Sequence, residues 1–262
     1  MADPKKLAGP DPTSEGDTFI SHLVELRSRV VKAAIAILVA FVCLAPFSAH
    51  VYDLLAMPML NALPQGTKMI ATGVITPFLV PVKVTLLVAF ILALPVVLYQ
   101  MWAFVAPGLY THEKKLAMPL IVSSFCLFLA GVAFCYFFVF GTVFRVINEF
   151  APKSVVVAPD IDSYFSFVLS MFIAFGITFE VPVVVVVLVR FGIISVAKLK
   201  DIRPYVIVGA FVVAAIITPP DPGSMLLLAI PLVLLYEVGI FAARFVRVSA
   251  ERAAAAAGSA EP

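Results

Sequence analysis

The chain has 262 residues, 63% hydrophobic and 13% charged, with a formal net charge of +2 and a mean hydropathy of +1.11. A soluble domain lies nearer about 45–50% apolar and about 25% charged. A single water-surrounded core cannot hide this much apolar surface. That excludes a soluble enzyme or nucleic-acid-binding domain and makes a bilayer the solvent for one membrane domain.

In chain order, residues 1–16 are polar with both charge signs, and composition predicts a disordered arm. No cleavable signal peptide is expected, because no apolar stretch precedes a small-residue cleavage site in the first 29 residues. Over 18–29, Phe19, Ile20, Leu23 and Leu26 recur at helical spacing, which predicts a helix lying in the membrane interface. Its polar stripe carries His22, Glu25 and Arg29. Apolar runs then predict six spans: 30–47, 84–104, 116–144, 163–189, 205–217 and 222–243. The fifth is short. Thirteen residues reach about 20 Å, against a hydrocarbon core of about 30 Å. The turn that follows it, TPPDPGS, stops helices.

Pro95, Pro182 and Pro231 fall inside spans, and Pro77 and Pro81 lead into the second. Each removes a backbone hydrogen bond and bends its helix, which predicts a cupped rather than cylindrical bundle. The expected organisation is therefore an all-α polytopic domain over 17–247, with disordered tails at 1–16 and 248–262.

Orientation follows from the bases. Fourteen of the 18 Lys and Arg residues fall on one side: in the N-terminal arm, the loop with Lys114 and Lys115, the loop from Arg190 to Arg203, and the C-terminal tail. The remainder (Lys68, Lys83, Arg145 and Lys153) fall on the other. The positive-inside rule makes the richer side cytoplasmic, with both termini there.

Little in the chain points to an enzyme. It has no phosphate-binding loop, no H-E-x-x-H pair and no G-x-S-x-G elbow. Cys43, Cys126 and Cys135 lie in apolar runs, where thiols act as small hydrophobes rather than as disulfide or metal sites. Neither a cofactor nor a metal is expected.

Three acids stand out. Glu180 sits mid-span beside Pro182. A charge at bilayer centre costs about 2.5–3.5 kcal/mol on insertion scales. It is either a protonated carboxyl bonded to a neighbouring helix or a polar contact in a cavity open to water. Glu113 lies in the loop YQMWAFVAPGLYTHEKK (99–115), where Trp102 and Tyr110 read as an interfacial aromatic belt. Glu25 lies between apolar residues and is followed by Arg27 and Arg29, for which a local ion pair is the plain reading.

The strings HLVELRSR (22–29), ITPF (75–78), YQMWAFVAPGLYTHEKK (99–115), AFGITFEVPV (174–183), RPYVIVGAFVVAAIITPPD (203–221) and LLLAIPLVLLYEVG (226–239) resemble those of the TatC family. The likeness runs from about Ser21 to Arg247. It implies a six-helix scaffold in the bacterial inner membrane with both termini in the cytoplasm. The family recognises folded cargo through signal peptides bearing two adjacent arginines. The resemblance maps that signal-peptide site onto Glu25, Arg27, Arg29, Phe104 and Glu113. Glu180 and Asp221 coincide with motif positions where the family meets partners or cargo. It also implies single-span TatA- and TatB-type partners, a homo-oligomeric complex and a proton-motive-force drive.

The chain departs from the family after TPPD, where Ser224 is followed by Met225 rather than glutamine. Two other classes remain open from the residues alone. A secondary transporter coupled through Glu180 requires a second intramembrane charge. An intramembrane enzyme requires a catalytic pair within the spans.

Overall fold

The computed structural model describes residues 12–62, 69–105, 114–150, 158–218 and 222–258. Glu113, Tyr110, His112 and Asp221 lie outside the described residues. The helices are α1 (Pro12–Leu44), α2 (Ser48–Ala62), α3 (Thr76–Val105), α4 (Lys114–Phe134) and α5 (Phe140–Phe150). They continue as α6 (Ile161–Arg190), α7 (Val196–Asp201), α8 (Arg203–Ile217) and α9 (Pro222–Gly258). A 3-10 turn, Ala45–Phe47, joins α1 to α2, and a wide π turn, Cys135–Val139, joins α4 to α5. Among the described residues the only extended pairing is a single bridge between Ile70 and Asp160.

Five stretches are long and apolar enough to cross a bilayer: His22–Pro58, Thr76–Phe104, Met118–Val146, Ile161–Arg190 and Pro222–Phe245. Helix α8, with 15 residues, is the shorter sixth. The all-α, six-helix expectation therefore holds. The interface helix expected over 18–29 is not a separate element. It is the first part of α1, because no Gly or Pro between Asp17 and Leu44 interrupts the helix before Pro46. Helices α1 and α9 also run past the expected 17–247 limits, the latter through an alanine run with high helix propensity.

Helix α6 is the centre of the bundle. It is apolar on every side, packing against α4, α9 and α3 and leaving Ile173, Ile177 and Val184 exposed towards lipid. Phe165, Val168, Met171, Phe172 and Phe175 are buried along it. Two glycines allow α4 to approach closely. A Cβ on Gly131 would stand 2.6 Å from the Phe175 carbonyl oxygen, and one on Gly176 would enter the Phe128 ring. On the other flank α1 lies along α3, while α8 packs on α9.

Helix α6 ends in a Schellman turn. The Ile193 amide donates to Leu188 O and the Gly192 amide to Val189 O, each at 3.0 Å. Gly192 takes φ +68, a left-handed backbone that favours a residue without Cβ.

In a hydrocarbon solvent, proline-freed carbonyls need partners from other helices. Pro58 leaves the Leu54 carbonyl without its helical donor. The Tyr136 hydroxyl, projecting from the π turn, donates to that oxygen at 2.8 Å. Tyr164 from α6 donates to the adjacent Leu55 carbonyl at 2.9 Å. These bonds seat α2 on the core at the end of the bundle opposite the termini. There too, the Ile70 amide donates to Pro159 O and the Ile161 amide to Ile70 O. Lys83 pairs with Asp162 at 2.7 Å on the exposed rim.

Candidate functional site

Antiparallel packing of α1 on α3 brings the start of one beside the finish of the other. The imidazole of His22 stacks on the Phe104 ring, with centroids 4.4 Å apart and planes inclined by 22°. Residues 22, 25 and 29 share one face of a 3.6-residue helix, so Glu25 and Arg29 lie on the same side as that stack. The Arg29 Nε donates to Glu25 Oε1 at 3.0 Å, and its Nη2 reaches the same oxygen. Both donors fall on one carboxylate oxygen, so the pair is not the two-oxygen fork that guanidinium and carboxylate can form.

Arg27 is exposed and, two residues from Glu25, projects from the opposite side of α1. Of the residues singled out in sequence, Glu25, Arg29 and Phe104 are thus brought to one place, and Arg27 is not. Phe104 is half-buried at the end of α3. Nine residues further along the chain is Glu113, outside the described residues. His22 belongs to the site by contact. The sequence signal was its place on the polar stripe.

Trp102 is not a belt residue. It is 5% exposed, and its indole donates to Ser124 Oγ at 3.1 Å, tying α3 to α4. A buried indole needs an acceptor, and α4 supplies one inside the bundle.

Glu180 lies on α6 beside Ser124, and its residue is 9% exposed. Both carboxyl oxygens are shut off from the surface, and the Ser124 hydroxyl of α4 is the polar group at hand. The Ser124 oxygen accepts from the Trp102 indole, which leaves its own proton to donate to the Glu180 carboxyl beside it. An ionised carboxylate held this way would cost several kcal/mol until a partner reached it.

The other span acid is already committed. Glu237 Oε2 accepts from Arg203 Nη2 at 2.6 Å, linking α9 to the start of α8. Beside it, Tyr236 donates to the Leu199 carbonyl at 2.7 Å. At the opposite end of α9, Ser224 is buried, and Met225 packs against the apolar cluster around Ala214 and Leu228. A side chain in that setting needs no amide.

Comparisons with known proteins agree with this architecture. Residues 21–231 match the family model described as Sec-independent protein translocase protein (TatC). A Sec-independent protein translocase protein TatC of Escherichia coli K12 is 51% identical over 227 residues, covering 87% of this chain and 88% of that protein. One from Azotobacter chroococcum is 48% identical over 252 residues, covering 96% and 98%. Among solved structures, a crystal structure of a twin-arginine translocase receptor, TatC, superposes with a TM-score of 0.75. It is 40% identical and covers 86% of this chain and 98% of that one.

Proposed function

The chain belongs to the TatC family, and from that premise we propose that it is the cargo receptor and scaffold of a twin-arginine translocase. It is a multi-pass membrane protein of that translocase. In this reading it sits in the bacterial inner membrane with both termini in the cytoplasm, as the distribution of its bases favours. It binds twin-arginine signal peptides of folded cargo there. TatA- and TatB-type single-span subunits join it, copies of the chain assemble within the complex, and the proton-motive force drives export.

The observation that carries the reading is the meeting of α1 and α3, where an acid, a base and two rings converge at the termini end. The Phe104 end of α3 leads directly into the segment bearing Glu113. Glu113 and Glu25 supply carboxylates for the paired guanidinium groups, and Phe104 offers an apolar or cation–π face beside them. Arg27 and Arg29 set the local charge, and Arg29 keeps Glu25 ordered until a leader arrives. Glu180 and Asp221 receive polar groups of partner or cargo helices. The burial of the Glu180 carboxyl inside the bundle supports that role.

A small-solute transporter coupled through Glu180 fits less well. It needs a second intramembrane charge, and Glu237 is held by Arg203 instead.

The test is site-specific cross-linking and binding of a twin-arginine signal peptide to the full chain. Glu113→Gln is expected to abolish the cross-link while insertion stays normal. A twin-lysine peptide is expected to bind wild type at least about tenfold more weakly, because lysine cannot form the two-pronged pair. Undiminished binding in the variant, or equal binding of the two peptides, removes the assignment.

A further inference from the structure

We propose that His22 is a positioning residue of the signal-peptide site: its ring fixes the orientation of Phe104 relative to Glu25 and Arg29. This rests on the reading above, in which Phe104 and Glu25 face the twin-arginine leader. The geometry is that of a stack between ring faces. Ring pairs such as Tyr52–Phe165, Phe134–Phe175 and Phe140–Phe172 instead belong to the aromatic core around α6. The His22–Phe104 pair joins α1 to α3 at the termini end.

His22 is exposed, so burial of apolar area is a poor account of its contact with a half-buried phenylalanine. The stack has two consequences for recognition. With one face of Phe104 covered by imidazole, an arriving guanidinium can lie only on the opposite face or at the edge. And because His22 is three residues before Glu25, about 4.5 Å along the helix axis, that ring is indexed to the carboxylate. An α3 end free to turn its terminal ring would lose this register.

Binding of a fluorescent twin-arginine signal peptide to the purified full chain in lipid nanodiscs tests the proposal, with a twin-lysine peptide as reference. His22→Ala and His22→Gln are expected to weaken twin-arginine binding about two- to tenfold and to narrow its margin over the twin-lysine peptide. His22→Tyr, which keeps a flat ring, is expected to restore binding to within about twofold. In a Phe104→Ala background, His22→Ala should have no further effect, since coupled residues do not add. A purely structural role predicts neither rescue by tyrosine nor dependence on Phe104.

Wild-type binding in both His22→Ala and His22→Gln, failure of tyrosine to rescue, or additive losses in the double variant would overturn the proposal while leaving the receptor reading intact. Equal binding of the two peptides by the wild-type chain would end that reading and this inference with it.

Discussion

One carboxylate, that of Asp160, organises the outer end of α6. Its Oδ2 accepts from the Ser163 amide at 3.1 Å and the Ser163 hydroxyl at 3.2 Å, capping the helix. Its Oδ1 accepts from the Thr72 amide at 3.1 Å and hydroxyl at 2.9 Å, fastening the segment before α3. The Ser163 amide, followed by the Thr72 amide, holds its pKa down at about 2. A folded pKa below the ordinary carboxylate value favours folding while the group is charged. That contribution is complete above about pH 4 and drains away as pH falls towards 2. Asp160→Asn is therefore expected to speed amide exchange at Ser163 and Thr72 at pH 6. Acidifying wild type from pH 5 to 2 should lower the protection factors of the same two amides, taken against the intrinsic rate at each pH, while those of the variant should change little. Equal protection in both proteins at pH 6 would contradict the assignment. Legibility at this scale is uneven. Glu25, Arg29 and Phe104 were readable because motif and helical spacing marked them. The contact between His22 and Phe104 was not, because no local pattern links residues so far apart in sequence. The burial of Glu180 beside Ser124 was equally hidden, since it depends on how α4 and α6 cross.

Helices in a bilayer gain little from hiding apolar surface from one another, so close contact decides their pairing. At the α4–α6 crossing, Gly131 lets the backbone of α6 come close. Gly131→Ala is expected to lower stability by about 1–3 kcal/mol, because the methyl would meet backbone rather than a side chain that can swing away. Gly209, inside α8, has nothing within 4 Å of a built Cβ. Gly209→Ala should be neutral or stabilise by up to about 1 kcal/mol through helix propensity. Thermal unfolding in detergent distinguishes the two, and equal effects would refute the packing argument. Spans were legible because hydropathy acts locally. The merging of the amphipathic segment into α1 was legible only in hindsight: amphipathicity marks a face, and only the absence of a breaker says whether that face belongs to a separate helix. Trp102 was misplaced for a related reason, since a tryptophan at a span's end looks alike from sequence whether it faces lipid or a neighbouring helix.

For the whole molecule, the spans could be counted from the apolar runs, but the neighbours of each span did not follow. Spans that are apolar on all sides carry no periodic signal saying which side is lipid. The unequal span lengths do have a readable outcome. At 15 residues, α8 covers about 22 Å, and a bilayer beside it must thin or its flanking residues must stretch. If that thinning eases passage of cargo, inserting four leucines into α8 should impair export in cells while signal-peptide binding stays normal. Normal export from that variant would dismiss the idea. The π turn at Cys135–Val139 bears on the molecule in another way. It holds one residue more than an ordinary turn, with the Phe140 amide reaching back five positions to Cys135. Removing a single residue there would wind everything after it round by about a quarter of a circle. Tyr136 would swing away from Leu54, and Phe140 and Phe144 would turn from the rings of α6 out towards lipid. Gene variants that add or drop one codon between α4 and α5 are thus barred by phase, however greasy the residue gained or lost.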